Sequence, residues 1–561
     1  MRLLDWGVLI GALSFIVLYG LYRSRGPTTV NSYLLAGRTM PWYAMGLSIM
    51  ATQASAVTFI STTGQAYVDG MRFVQFYFGL PIAMVILAAT AVPVFHRTKV
   101  YTAYEYLEKR FDAKTRTLVG LIFLIQRGLG VGIALAAPAI VLTVLLGWPD
   151  RLTTFVMGAV VITYTVLGGI KAVTWTDVQQ MMILFAGLFV ALGTAVWLLP
   201  HGVSFHDAVS LAGAAGKLNA VDFSFDLKNP FNFWSGLIGG TFLFLSYFGT
   251  DQSQVQRYLT GKSIAQSRLS LIFNAGAKIP MQFLILFTGA MVFVFYIYER
   301  PPLLFQPVEL KRIQSVPAYR SIEDRYQRAF EQRKEAAGRL LEARRTGDRT
   351  AGARSLAEYR NAQAGIDAAR DQGGRLVQAA TGSSRFNDAN YVFLTFVTRY
   401  MPAGIVGLIL AAIFGAAITS IAGEINSLAT VSVIDLYRRH VRKSAPDRHY
   451  LWASRAATAF WGCYAVMFAQ YGKNLGSLVV AVNMVGSLFY GGMLGVFVLA
   501  FAFPRVRGNA AFLGVLAGEA AIFYAHFATE VSFLWYNVIG CLVVVGTGLL
   551  LSLFERPAAA A

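Results

Sequence analysis

Charged side chains are scarce: Asp, Glu, Lys and Arg make up 14% of the 561 residues, against 56% that are apolar. A soluble domain carries roughly 25% charge to dress its surface, so this composition excludes an ordinary water-soluble protein. Cysteine is almost absent. The two present, Cys463 and Cys541, both fall in apolar runs, which excludes a disulfide framework and reads as buried small side chains. The 6 histidines are scattered, without helical pairing or cysteine companions, so no transition-metal centre is indicated. Acidic residues number 29 against 48 basic ones, giving a formal charge of +19. The basic excess sits in short connections and one polar insert rather than in a nucleic-acid module, and positive-inside orientation accounts for it without a nucleic-acid partner.

What the chain has in abundance is apolar runs of about 20 residues, the length that crosses a bilayer. They fall at Leu3 to Tyr22, Pro41 to Tyr67, Phe73 to Phe95, Leu118 to Leu146, Leu152 to Leu167, Val178 to Leu199, Phe233 to Gly249 and Leu269 to Tyr298. After the insert come Ile405 to Val433, Leu451 to Tyr471, Leu475 to Phe501, Ala511 to Ala528 and Leu534 to Phe554. The reading is an all-α polytopic membrane protein with about thirteen transmembrane helices. Arg23, Arg25 and Arg38 follow the first span, which no small-residue cleavage site terminates, so it reads as a retained helix with its N-terminus outside. The basic segments HRTKVYTAYEYLEKRF, RYLTGKSIAQSR, DLYRRHVRKSAPDRH, PRVRG and the C-terminal ERP then all fall on the cytoplasmic side, together with the C-terminus.

Residues 299–388 interrupt the pattern with a stretch rich in Arg, Glu, Gln and Ala, placed on the outer face by alternation. Long loops cross regardless of charge, so its arginines do not overturn the orientation. Ile322, Tyr326 and Phe330 recur every fourth residue and Leu340 and Leu341 extend the stripe, which predicts a helical hairpin punctuated at Thr346 to Gly352 and at Gly373 to Gly374. A flexible polar linker is the alternative, and an extracytoplasmic protein partner docking on the insert is one role for it.

Ser48 to Gly64, SIMATQASAVTFISTTG, carries more hydroxyl and amide side chains than lipid contact favours. A helix that unwinds within a membrane must have its freed carbonyls satisfied by protein, water or an ion, and such breaks mark transport sites. Gln53, Ser55 and Thr58 are candidate ligands there; tight packing of small residues against a neighbouring helix is the other reading.

The segment NSYLLAGRTMPWYAMGLSIMATQASAVTFISTTGQAY resembles the opening of the sodium:solute symporter family. GGIKAVTWTDVQQ, YTAYEYLEKRF and AAITSIAGEINSLATVSVIDLYRR are similar, in order, to further segments of that family. The resemblance implies a core of ten helices in two inverted five-helix halves, with helices one and six broken, one helix before the core and two after it. The chain then divides into residues 1–40, core helices one to seven at 41–298, the insert at 299–388, core helices eight to ten at 389–507, and two C-terminal helices at 508–561. It also implies a sodium ion held between helices one and eight by the carbonyls of Ala51, Ala54 and Ala416 and the hydroxyls of Thr419 and Ser420. Members with a second sodium resemble this chain at Asp177, but Ala422 and Gly423 stand where further hydroxyls would be needed, so one sodium is expected. Asp177 is then a candidate for the ion's exit path, or a charge that satisfies helix amides. Glu424, one turn beyond Ser420, is either a second such group or the partner of a basic side chain.

For the substrate, the family pattern points to Gln53, Thr58, Tyr77, Tyr247 and Asn483. Sugar carriers place Gln, Glu and Asn where this chain has Thr58, Tyr77 and Phe244, although Lys278 and Asn483 remain, and proline carriers have Asp where this chain has Gln53. Arg127 lies well inside a membrane helix, where a guanidinium either reads a carboxylate bidentately or pairs with Glu424. Sialic acid carriers resemble this chain in placing an arginine on that helix. The implied function is sodium-coupled symport of a small organic solute, an organic anion such as a monocarboxylate or an acidic sugar, across the cell membrane and not enzymatic catalysis. Proton coupling and a transport-linked sensor are the alternatives.

Overall fold

The computed structural model describes residues 2–24, 29–383, 386–470 and 477–555, and among them every regular element is a helix. Arg25, Tyr471, Leu475 and Arg556, used above as flanks or span ends, lie outside the described residues. Helix α1 (Leu3–Ser24) precedes α2 (Trp42–Gln53), which a break and a wide turn of π-helix at Thr58–Thr62 separate from α3 (Thr63–Asp69). Next come α4 (Leu80–Ala89), α5 (Ala113–Leu146) and α6 (Asp150–Trp197). The long α6 contains the fourth and fifth core spans. Its Gly169 has φ +62°, and Tyr164 and Thr176 on either side share a hydrogen bond of 3.1 Å. Twelve residues of straight helix would rise about 18 Å, so the chain folds back at this glycine. Then α7 (Gly240–Gly249) breaks at Thr250 and Asp251 into α8 (Gln252–Leu259), and α9 (Ile264–Tyr298) leads to the insert.

The insert is a hairpin of α10 (Ala318–Thr346) and α11 (Arg349–Thr381) turned by Gly347 at φ +73°. Its stripe of Ile322, Tyr326, Phe330, Leu340 and Leu341 is buried, so the flexible-linker alternative falls. The expected break at Gly373 and Gly374 does not occur: α11 runs through both, with Leu303, Leu304 and Phe386 packed close against them. The core resumes with α12 (Ala389–Tyr400), α13 (Ile405–Thr430), α14 (Asp447–Ala469) and α15 (Leu478–Ala502), and α16 (Gly508–Ala528) and α17 (Phe533–Ser552) follow. Nine described helical stretches have the length and composition to cross a bilayer, fewer than thirteen, because adjoining spans run together or are broken and because α14, though long enough, is not among the sufficiently apolar ones.

Almost all of α13 is buried and packs on α1, α2, α5 and α6, which makes it the central post of the bundle. Two readings need correction. Arg257, the first residue of the segment RYLTGKSIAQSR, is not a surface charge, because α8, with Arg257 in its last turn, is buried along its whole length, whereas Lys262 and Arg268 of the same segment are exposed. Its glutamines are paired instead of solvated: Gln252 binds the Ala103 amide and the Tyr101 carbonyl at 3.0 and 2.9 Å, and Gln254 donates to Tyr247 Oη at 2.7 Å. Cys463 is exposed on the outside of α14, while Cys541 is buried.

Candidate functional site

The break after α2 begins at Ala54, whose φ of −95° and ψ of 54° leave the helical region. The Gln53 carbonyl freed there accepts a hydrogen bond of 2.9 Å from Thr58 Oγ1, so a residue beyond the break stabilises it. Facing the break, Ser420 of α13 donates to the Ala51 carbonyl at 3.3 Å. Thr419 donates to Gln180 Oε1 of α6 at 2.7 Å. Both hydroxyls therefore reach across to other helices. Ala51, Ala54, Ala416, Thr419 and Ser420 are all buried, and their neutral oxygens suit a hard monovalent cation, which several such oxygens can hold without a full countercharge.

Asp177 lies beneath this point in α6, where it satisfies no helix amides. Its Oδ2 accepts from Ser48 at 2.6 Å and from Arg257 Nη1 at 2.7 Å, with both ion-pair partners fully buried. Gly423 makes room for that guanidinium, since a Cβ at 423 would collide with it. Asp177 and Glu424, paired above as candidates for one path, thus belong to different ion pairs.

On the other side of the break lies a cavity of about 70 Å³, room for a few waters or a solute of a few heavy atoms. Gln53, Thr58, Tyr77, Arg127, Tyr247 and Asn483 all line it, brought together from α2, the π turn, the segment before α4, α5, α7 and α15. Glu424 and Tyr490 complete the polar side, and Phe76 and Phe244 the apolar side. Arg127 is pinned: Nη1 donates to Glu424 at 3.2 Å, Nη2 donates to Tyr490 Oη at 2.9 Å and also to the Asp251 carboxylate. Its Nε has no partner, and neither does Gln53 Oε1 nor one oxygen of Glu424. The guanidinium also stands 5.5 Å from the centre of the Tyr247 ring. Behind Tyr77, the buried Lys278 ammonium lies 5.5 Å from that ring's centre and has no hydrogen-bond partner.

Asp251, Arg257, Gln180 and Tyr490 take part in this network and escaped the sequence reading. Asp251 and Arg257 sit in a polar, low-hydropathy segment that resembles a surface loop. The available signal was TDQSQVQRYL itself, an Asp that caps a short helix through Ser253 directly after an apolar span.

The model of the sodium:solute symporter family matches residues 33–300 and 369–518, and the chain belongs to that family. The human sodium-coupled monocarboxylate transporter 1 is 27% identical over 521 residues, covering 92% of this chain and 72% of the relative. The sodium/sialic acid symporter NanT of Aliivibrio fischeri is 26% identical over 559 residues, covering 98% and 92% of the two chains. A solved substrate-bound, outward-open Na+-coupled sialic acid symporter superposes with a TM-score of 0.75 at 24% identity, covering 100% of this chain and 99% of that one, which establishes the shared fold. The protein is a multi-pass, sodium-coupled solute symporter and not an enzyme.

Proposed function

We propose that the protein imports a small carboxylate of the monocarboxylate class with one sodium ion, the insert facing outward and the C-terminus lying in the cytoplasm. The observation that carries this reading is the charge balance at the central cavity. One guanidinium, Arg127, is shared by two carboxylates, Asp251 and Glu424, so an organic anion meets a triad that carries one negative charge in excess, with the Lys278 ammonium behind Tyr77 as the nearby unpaired positive group. A cation bound close by at the Ala51 and Ser420 oxygens restores the balance, which supplies a physical reason for sodium to tighten anion binding. The free Nε of Arg127 and Gln53 are the groups available to orient the carboxylate, with Thr58 and Asn483 around its polar end and Tyr77, Phe76 and Phe244 around its apolar end. The small volume favours a short acid over an acidic sugar in this arrangement, and the two relatives named above carry one or the other.

Uptake into proteoliposomes tests the reading, with pyruvate, lactate, N-acetylneuraminate, glucose and proline offered under an inward sodium or potassium gradient. Sodium-dependent uptake of the short acids is expected. Uptake confined to the neutral solutes, or equal in the two salts, overturns it. The unpartnered Glu424 oxygen favours one second reading, in which a proton on that carboxyl replaces sodium in the charge balance. Uptake that follows pH and ignores sodium would establish that reading instead.

A further inference from the structure

The insert encloses space as well as covering the bundle. Between it and the core lies a cavity of about 750 Å³, far larger than the central one. Tyr67 and Val68 at the end of α3, Phe293 of α9 and Ala389 of α12 form its floor, and α10 and α11 form its roof. Two nearly inaccessible side chains, Arg333 at 1% and Tyr359 at 2% exposure, are among the residues that line it, and each has a polar atom without a protein partner. Arg333 gives Nη1 to Gln363 at 2.7 Å and Nη2 to the Tyr296 carbonyl at 2.5 Å, which leaves Nε free, and Tyr359 leaves Oη free. A buried polar atom left without a partner costs free energy, and a polar guest in the neighbouring cavity would satisfy it.

The charge around the cavity is positive on balance. Arg370 and Asp388 neutralise each other at 2.7 Å. What remains is Lys217, Arg333, Arg360 and Arg375 against Asp367 and Asp371. Arg360 and Arg375 are exposed and make no ion pair among the described residues. Burial lowers the Lys217 ammonium, in the loop below the hairpin, to about 8, with Asp367 and Asp69 opposing the shift. Tyr67 in the floor and Thr58 at the central cavity lie on one continuous helical path nine residues apart, roughly 14 Å.

We infer that this cavity is an outer anion site, in which Arg360 and Arg375 draw in a small carboxylate and Arg333 Nε and Tyr359 Oη hold it before it moves along α3 to the central cavity. The inference rests on the organic-anion reading above. It is tested on the full chain in proteoliposomes, with pyruvate as probe, sodium held constant, and potassium chloride low or high. Arg360→Gln with Arg375→Gln should raise KM for pyruvate about threefold to tenfold at low salt and leave kcat unchanged, and high salt should erase the difference. Asp367→Asn with Asp371→Asn, which leaves every basic group in place, should lower KM. Equilibrium binding in detergent should find two pyruvates per chain in the parent, and in the arginine variant two again, with the outer one weakened about threefold to tenfold at low salt. Sodium-driven pyruvate uptake by the parent, combined with an unchanged KM in both variants or a single bound pyruvate, overturns the outer site and leaves the proposed function standing. A parent that takes up no carboxylate removes the function and the outer site together.

Discussion

Replacing Arg127 by Gln tests the buried triad most directly. The substitution keeps a polar side chain of similar reach but leaves Asp251, fully buried, and Glu424, 7% exposed, facing each other without the shared cation. Removing one partner of a buried pair costs about 3–5 kcal/mol. Glu424→Gln should be far milder, about 1 kcal/mol, because Arg127 keeps Asp251 and Tyr490 and only a 3.2 Å bond becomes neutral. The double variant leaves one carboxylate, Asp251, which still accepts from Tyr490 Oη at 3.1 Å and from the Ser253 amide at 2.9 Å. It should therefore be more stable than Arg127→Gln alone, with a coupling of about 1–3 kcal/mol between the sites. Thermal unfolding in detergent, read by loss of the monodisperse peak, gives the ranking, and pyruvate uptake alongside it separates stability from transport. Strictly additive effects, or an Arg127→Gln variant as stable as the parent, would refute the triad as a unit. In the second case Arg127 acts as a dedicated ligand instead.

Three further outcomes follow from the same geometry. Ser420→Ala should raise the sodium needed for half-maximal uptake roughly tenfold, since one lost oxygen ligand is worth about 1–2 kcal/mol, and Thr419→Ala should have an effect of the same order, because donating its proton to Gln180 leaves its lone pairs for the ion. Sodium and substrate titrations must give the same coupling factor in each variant, and unchanged sodium dependence in both would remove the site. Gly423→Ala should lower thermal stability by about 2 kcal/mol or more by forcing Arg257 off Asp177, and a Tm equal to the parent's would contradict that packing. Gly64→Ala places a methyl group against the Ala389 carbonyl, a backbone atom that cannot swing aside, so uptake should fall steeply while an insert variant such as Arg328→Gln stays normal.

Hydropathy determined where most of the long membrane-crossing stretches lie, because a span of lipid-facing residues is a local property that about twenty consecutive side chains either have or lack. The same locality made the break at Ala54 legible, since Gln53, Ser55 and Thr58 interrupt an apolar run in a way lipid would not tolerate. The hairpin of the insert was equally local, its four-residue stripe being buried as its spacing required. Charge partners were not legible. Asp251 lies 124 residues from Arg127 in sequence and Glu424 lies 297 away, and only the folded bundle brings both to one guanidinium. Arg257 was misassigned for a related reason: a buried polar helix and an exposed basic loop have the same composition, and what separates them is whether distant residues such as Asp177, Tyr101 and Ala103 satisfy their polar atoms. Gly373 and Gly374 show the converse, two residues that locally suggest a break and that lie within a helix, packed closely against Leu303, Leu304 and Phe386.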